Sequence, residues 1–367
     1  MENFTATLPY YEDEFYTDDF NYDEDGMICN MEIVRRFIKT FSIVTYTIMF
    51  AWGLVGNLLV VLTFGYYKRT KSMTDVYLLN LAVADILFIL TLPFWAVYKY
   101  KNEWIFKDFM CKVVRSIYKI NFNCSMLLLA FVGIDRYIAI VQVTRSFNFR
   151  ATAITYKKWI CLFVWVITIA ISGITYAFNA AYKHDNQWVC EANYINNSTP
   201  VRLKLAVLAV QVSIGFFIPF LIMLFCYTFI IKTLLQAHNS QRHKAIRVVI
   251  AVASAFLLCQ VPYNILLLIE AATLGKTTPF CSEKVNIAYA MFITETLAFF
   301  HCCLNPMIYA FVGVKFRNSF LKIIQDLLPR KHKYFRGNRS SRISSDTYTC
   351  RQTSEVYTKE SGSSFTM

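Results

Sequence analysis

Seven stretches of the chain hold apolar residues almost without interruption: 40–67, 76–98, 120–134, 159–182, 205–231, 248–269 and 285–314. Five carry no charge within these limits; the second holds only Asp85 and the seventh only Glu295. An apolar helix of roughly 20 residues crosses a bilayer, so the pattern predicts seven membrane-spanning helices. The third stretch is short, and its helix is expected to begin near Asp108 with its upper charges turned to protein or water. Beyond the seventh, the segment 316–328 sets Phe316, Phe320, Ile323, Ile324 and Leu327 on one face, with Arg317 and Lys322 elsewhere. That spacing predicts a short amphipathic helix lying on the inner leaflet. The expected fold is an all-α membrane protein: a seven-transmembrane-helix bundle with a short amphipathic eighth helix. Its expected segments are an acidic arm (1–36), the bundle (37–312), the amphipathic helix (313–329) and a Ser/Thr-rich tail (330–367).

Composition agrees. The 367 residues are 56% hydrophobic and 17% charged, too apolar for an ordinary soluble domain of this length. No signal-like basic-then-apolar pattern precedes the first span, which is expected to act as its own insertion signal. Basic residues cluster after the first, third and fifth spans (Lys68, Arg69, Lys71; Arg145, Arg150, Lys157, Lys158; Arg242, Lys244, Arg247) and in the tail. By the positive-inside tendency these segments face the cytoplasm, which puts the N-terminus outside a plasma membrane and the C-terminus inside. Residues 1–34 hold ten acids and no Lys or Arg, leaving 37 bases against 14 acids for the rest. Anionic lipid accounts for that basic excess, without any nucleic-acid partner.

The acidic arm alternates Tyr10, Tyr11, Tyr16 and Tyr22 with Asp and Glu, a pattern suited to tyrosine sulfation and to capture of a basic protein surface. Asn3, Asn196 and Asn197 head glycosylation sequons on outer segments. Thirteen Ser/Thr between Ser340 and Thr366 are candidate phosphosites. Four cysteines, Cys29, Cys111, Cys190 and Cys281, fall in outer segments where disulfides persist; spacing allows three pairings.

Polar residues inside the spans carry the candidate chemistry. Asp85 is a lone carboxylate at mid-depth, expensive in lipid unless hydrated, paired or protonated. Asn57, Ser125 and Asn305 lie at similar depth, so the group reads as a sodium or proton site (Asp85, Ser125, Asn305), or as a hydrogen-bond network knitting helices. Asp135-Arg136-Tyr137 closes the third span and Asn305-Pro306-Met307-Ile308-Tyr309 closes the seventh. An Arg held by a neighbouring Asp and released when helices move is a bistable element. Pro306 weakens its helix locally, letting Tyr309 swing inward, with Tyr227 as its expected partner. Glu295, at outer depth, wants a cation, and Tyr46, Trp95, Tyr118 and Tyr263 sit at similar depths as an aromatic lining. The competing reading pairs Glu295 with Lys119 or Arg115. Arg115, Tyr118, Lys119 and Phe122 share one helical face, so the pocket is expected to be mixed in charge.

These motifs, with Gly56-Asn57, Leu81-Ala82-Val83-Ala84-Asp85, Thr91-Leu92-Pro93-Phe94-Trp95 and His301-Cys302-Cys303-Leu304-Asn305-Pro306, resemble the class A G-protein-coupled receptors, and among them the chemokine receptors. The segments 72–80 and 241–248 and the terminal Ser363-Ser364-Phe365-Thr366-Met367 point to one subgroup. The resemblance implies bridges Cys111–Cys190 and Cys29–Cys281. It also implies a CC chemokine ligand, a Gi-type G protein, and arrestin and receptor kinases at the tail. Most class A receptors have Cys-Trp-x-Pro in the sixth span where this chain has Cys259-Gln260-Val261-Pro262, so a packed indole cannot be its switch.

The expected function is that of a receptor without catalytic activity, with no resident cofactor beyond the candidate sodium ion. A scavenging receptor is disfavoured by the intact Asp135-Arg136-Tyr137 run. A transporter has little support from Asp85 and Glu295 alone, and no catalytic pair suggests a hydrolase. Epitope tags at the two termini of the chain in intact cells are expected to stain from outside at the N-terminus only. Staining of both ends from one side would overturn the topology.

Overall fold

The structure, a computed structural model, describes residues 31–67, 73–184, 187–194, 200–236, 240–273 and 281–312. The acidic arm with its tyrosines and Asn3, the sequons at Asn196 and Asn197, Cys29, the amphipathic eighth helix and the tail lie outside the described residues. In chain order the elements are α1 (Glu32–Val61), α2 (Met73–Ile89), α3 (Leu92–Lys101), α4 (Lys107–Ile140) and α5 (Val143–Phe178). The strands β1 (Asn179–His184) and β2 (Gln187–Ala192) follow, then α6 (Pro200–Val212), α7 (Ile218–Gln236), α8 (Ser240–Thr273) and α9 (Cys281–Val312). A π-helical turn, Leu62–Tyr67, extends α1, and another, Ser213–Phe217, joins α6 to α7. Paired in this way, α2 with α3 and α6 with α7, the helices make seven crossings long and apolar enough to span a bilayer.

Burial runs opposite to that of a soluble protein. Trp52, Trp159, Phe163 and Leu258 are more than half exposed on the outer faces, whereas Asn57, Asp85, Ser125, Gln260 and Asn305 are buried between helices. Lipid satisfies the former, and only other polar groups of the bundle satisfy the latter.

Three boundaries differ from the sequence expectation. The first helix begins at Glu32, inside the segment assigned to the arm, because a helix closed by its own hydrogen bonds continues past the hydrocarbon; Arg36 pairs with Glu32 one turn away, at 2.9 Å. Residues 179–182 belong to a strand and not to the fourth span. Asn179 turns extended (φ −84°, ψ 141°) and its amide donates to the Thr175 carbonyl at 2.7 Å, ending α5. The strands then pair antiparallel with Ala181 opposite Cys190. The second crossing is also broken. Pro93 has no N–H and its ring excludes the carbonyl four residues back, so the chain turns at Thr91, whose N–H and Oγ1 both donate to the Phe88 carbonyl at 2.8 and 2.7 Å. That break re-aims α3 and the residues it carries, Trp95 and Lys99.

Two glycines let α1 lie close against its neighbours. A Cβ on Gly56 would stand 2.8 Å from the Pro306 Cβ, and one on Gly53 would stand 2.8 Å from Ile89 Cδ1. Small residues at such contacts let helices pack without a hydrophobic driving force between them. Gly56→Val is therefore expected to cost about 1–3 kcal/mol of overpacking. A thermal-unfolding midpoint in detergent should fall by several degrees; an unchanged midpoint would show that α1 and α9 separate freely.

Candidate functional site

Three layers of polar and aromatic groups run down the inside of the bundle. At the outer end, Glu295 of α9 faces Lys99 of α3, with Nζ 3.6 Å from Oε2 and both side chains largely buried. The sequence reading paired Glu295 with Lys119 or Arg115; the Pro93 break brings Lys99 there instead. Lys119 makes no ion pair among the described residues, and its ammonium lies 5.6 Å from the Tyr118 ring centroid and 6.0 Å from that of Phe122. Arg115 stacks its guanidinium over Trp95, 4.9 Å from the ring centroid, and donates to the Cys190 carbonyl.

The aromatic lining is more closed than expected. Tyr46 and Trp95 are 1% and 2% exposed and pack on one shared ring, whereas Tyr263 is half-buried. The ring that gathers them is Phe299, absent from the sequence reading. It touches Phe88, Tyr118, Trp95 and Tyr46, with centroids 4.9, 5.1, 5.6 and 5.9 Å away. Phe299 stands four residues after Glu295, on the same face of α9.

Above this layer, the β1–β2 hairpin is fastened to the helices. Cys190 is disulfide-bonded to Cys111 at the start of α4. The Ala181 N–H donates to Asp108 at 2.9 Å and the Cys190 N–H to the Tyr98 hydroxyl at 3.4 Å. Cys281 is also in a disulfide, with its partner outside the described residues.

At mid-depth Asp85 is wholly buried, and each carboxylate oxygen accepts from one carboxamide: Asn121 at 2.9 Å and Asn305 at 2.8 Å. His301 Nε2 stands 3.8 Å from the same carboxylate. Gln260 of α8 donates to the Ala298 carbonyl at 3.1 Å and lies 3.1 Å from His301 Nδ1, linking α8 to α9 where a tryptophan was missing. Of the sequence-predicted partners, Asn305 is on Asp85. Asn57 is not; its amide ties the carbonyls of Gly53 and Cys302, at 2.9 Å each. The buried Ser125 hydroxyl has no hydrogen-bond partner among the described residues. The groups bonded to Asp85 are carboxamide nitrogens, whereas sodium takes oxygens; the candidate set offers these in the carboxylate itself and the Ser125 hydroxyl.

At the inner end Arg136 pairs with Asp135 at 2.9 Å and donates to the Thr74 hydroxyl of α2, which itself bonds Asp135 at 3.4 Å. Tyr137 turns away to Phe225 and Phe229 of α7, 5.5 and 6.2 Å between centroids. The expected Tyr227–Tyr309 pair does not form. Tyr227 donates to the Leu129 carbonyl at 3.3 Å, and the buried Tyr309 ring packs edge-on to Phe64. Sequence reasoning missed Asn121, His301, Thr74 and Phe299. The first two were legible as residues one turn before Ser125 and Asn305.

A lipid-facing seven-helix bundle with an ion pair at its outer mouth and an arginine latch at its inner mouth is the architecture of a membrane receptor. The chain belongs to the rhodopsin family of seven-transmembrane receptors, whose model matches residues 56–309, and within it to the chemokine receptors. It is 49% identical to C-C chemokine receptor type 6 of Homo sapiens over 100% of this chain and 98% of that protein. It is 50% identical to the type 6 receptor of Mus musculus (97% and 99%), and 43% identical to the human type 7 receptor (82% and 79%). The chain is accordingly a multi-pass receptor and not an enzyme.

The Thr74 hydroxyl ties Arg136 to a helix other than its own, and a hydrogen bond to a charged group contributes about 1.5–3 kcal/mol. Thr74→Val keeps the shape and removes that tether. Basal nucleotide exchange on a reconstituted G protein is expected to rise several-fold with ligand affinity little changed. Unaltered basal exchange would show that Asp135 alone holds Arg136.

Proposed function

We propose that this receptor answers a CC chemokine of the macrophage inflammatory protein-3 alpha kind, couples to a Gi-type G protein, and drives calcium release and leukocyte chemotaxis. In this reading the N-terminus is extracellular, the C-terminus is cytoplasmic, and arrestin and receptor kinases act at the phosphorylated tail. The observation that carries it is the buried Lys99–Glu295 pair above the Phe299 cluster, in a chain half identical over its length to C-C chemokine receptors.

Capture comes first. The acidic tyrosine arm holds the basic body of the chemokine through charge complementarity that speeds encounter. The ligand's flexible N-terminus then enters the outer mouth. Its ammonium competes with Lys99 for Glu295, and an acidic side chain finds Lys119, which has no ion pair of its own among the described residues. Moving Glu295 shifts a helix that carries Phe299 on the same face and, further along, His301 and Asn305 on the side turned to Asp85. The ligand thereby favours a state in which the inner ends of α7 and α8 open and Arg136 leaves Thr74 for the G protein.

Glu295→Gln removes a buried charge partner, a change worth about 2–5 kcal/mol in comparable sites. It is expected to raise the chemokine concentration for half-maximal signalling at least tenfold while cell-surface capture changes little. Deleting residues 1–25 should do the reverse. Equal losses of capture and signalling in both variants would refute the division of labour.

A further inference from the structure

We infer that Asp85, His301 and Cys302 form a binding site for a zinc-like divalent cation at the centre of the bundle. A carboxylate oxygen, the imidazole Nε2 and the thiol Sγ all lie within 4.8 Å of one another. His301 Nε2 is 3.8 Å from Asp85 Oδ1 and 3.4 Å from Cys302 Sγ. Ligand bonds of about 2.0–2.3 Å place the donor atoms around tetrahedral zinc roughly 3.3–3.8 Å apart, so the three need little adjustment to share one ion.

The surroundings already orient these donors as a metal site requires. His301 Nδ1 is in hydrogen-bond contact with the Ala298 carbonyl oxygen. The carbonyl only accepts and so favours a proton on Nδ1; the Gln260 N–H, 3.1 Å from that nitrogen, then bonds the carbonyl alone, and the Nε2 lone pair faces Asp85 and Cys302. Gln260 gives its own N–H to the same carbonyl at 3.1 Å. Asn121 and Asn305 fix the carboxylate from the other side, at 2.9 and 2.8 Å. Such outer hydrogen bonds set the tautomer and direction of metal-ligating side chains. The Cys302 thiol, 3.4 Å from Nε2, is the donor nearest to that lone pair, and a metal ion would replace its proton.

Charge and softness choose the ion. Imidazole and thiolate suit zinc far better than sodium. Binding sends the Cys302 thiol proton to water, and the resulting thiolate with the Asp85 carboxylate balances two positive charges. A neutral assembly is what a lipid-enclosed core tolerates. The buried Ser125 hydroxyl, one turn from Asn121 on α4, has no hydrogen-bond partner among the described residues.

The test is a titration of the purified full-length receptor in lipid nanodiscs with Cd2+, the spectroscopic stand-in for zinc, read by the ultraviolet thiolate-to-metal charge-transfer band. A saturable band from a single site is expected, insensitive to excess sodium, retained in Cys303→Ser and abolished in Cys302→Ser. His301→Asn should weaken Cd2+ binding about tenfold or more. Chemokine binding in metal-free buffer verifies that each variant is folded. No band, or a band that survives Cys302→Ser, overturns the proposal, the former leaving a proton as the only cation between His301 and Asp85. If Cys302→Ser does not fold, His301→Asn decides: unchanged Cd2+ affinity there is equally fatal.

Discussion

A single carboxylate in hydrocarbon constrains the whole interior. Asp85 has no exposed surface, and lipid offers it nothing. Isolated, its charge would cost several kcal/mol, so the helices nearest to it must supply donors. Asn121 from α4 and Asn305 from α9 do so, and His301 stands behind them. Three helices, α2, α4 and α9, are thereby joined by polar bonds as well as by apolar packing. Glycines at 53 and 56 then let α1 close in from the side, and Asn57 hydrogen-bonds the α9 backbone at Cys302.

The same helix connects both ends of the receptor. Along α9, Glu295 meets Lys99, Phe299 gathers four aromatic rings, and Asn305 reaches Asp85. These groups are spaced so that a small displacement at the top moves discrete contacts and not a continuous medium, which is how packed interiors amplify sub-ångström changes. Gln260 occupies the position where an indole would normally pack, and it holds α9 by a hydrogen bond to the Ala298 carbonyl. A directional bond breaks over a shorter distance than a packed ring slides. The link between α8 and α9 in this chain is accordingly sharper than steric packing would make it.

The sequence made the crossings legible because apolar length is a local property. Lipid enforces it residue by residue, and the positions of Asp85, Arg136 and Glu295 stood out as exceptions to it. Partners were harder. Lys99 faces Glu295 beyond the break that Pro93 makes in the second crossing, and the sequence does not give the direction in which the chain resumes. Tyr46 and Trp95 were expected to line a cavity and instead pack on Phe299, since depth along a helix says little about which neighbouring ring fills the space beside it. Thr74 escaped notice for a related reason: a hydroxyl near a helix end is unremarkable until an arginine from another helix arrives. The β1–β2 hairpin was hidden because Ala180, Ala181 and Tyr182 read as more of the preceding apolar run, while the capping bond of Asn179 that ends it leaves no hydropathic trace.

The bond between Cys111 and Cys190 has a bearing on how the receptor is made. The two thiols are 79 residues apart, and α4 and α5 run between them through the membrane and back. Until both helices have been threaded by the insertion machinery, the cysteines are on opposite sides of the bilayer or still on the ribosome. Oxidation at this pair thus requires that α4 and α5 have both been threaded, and a chain in which either failed to cross could not close this bond.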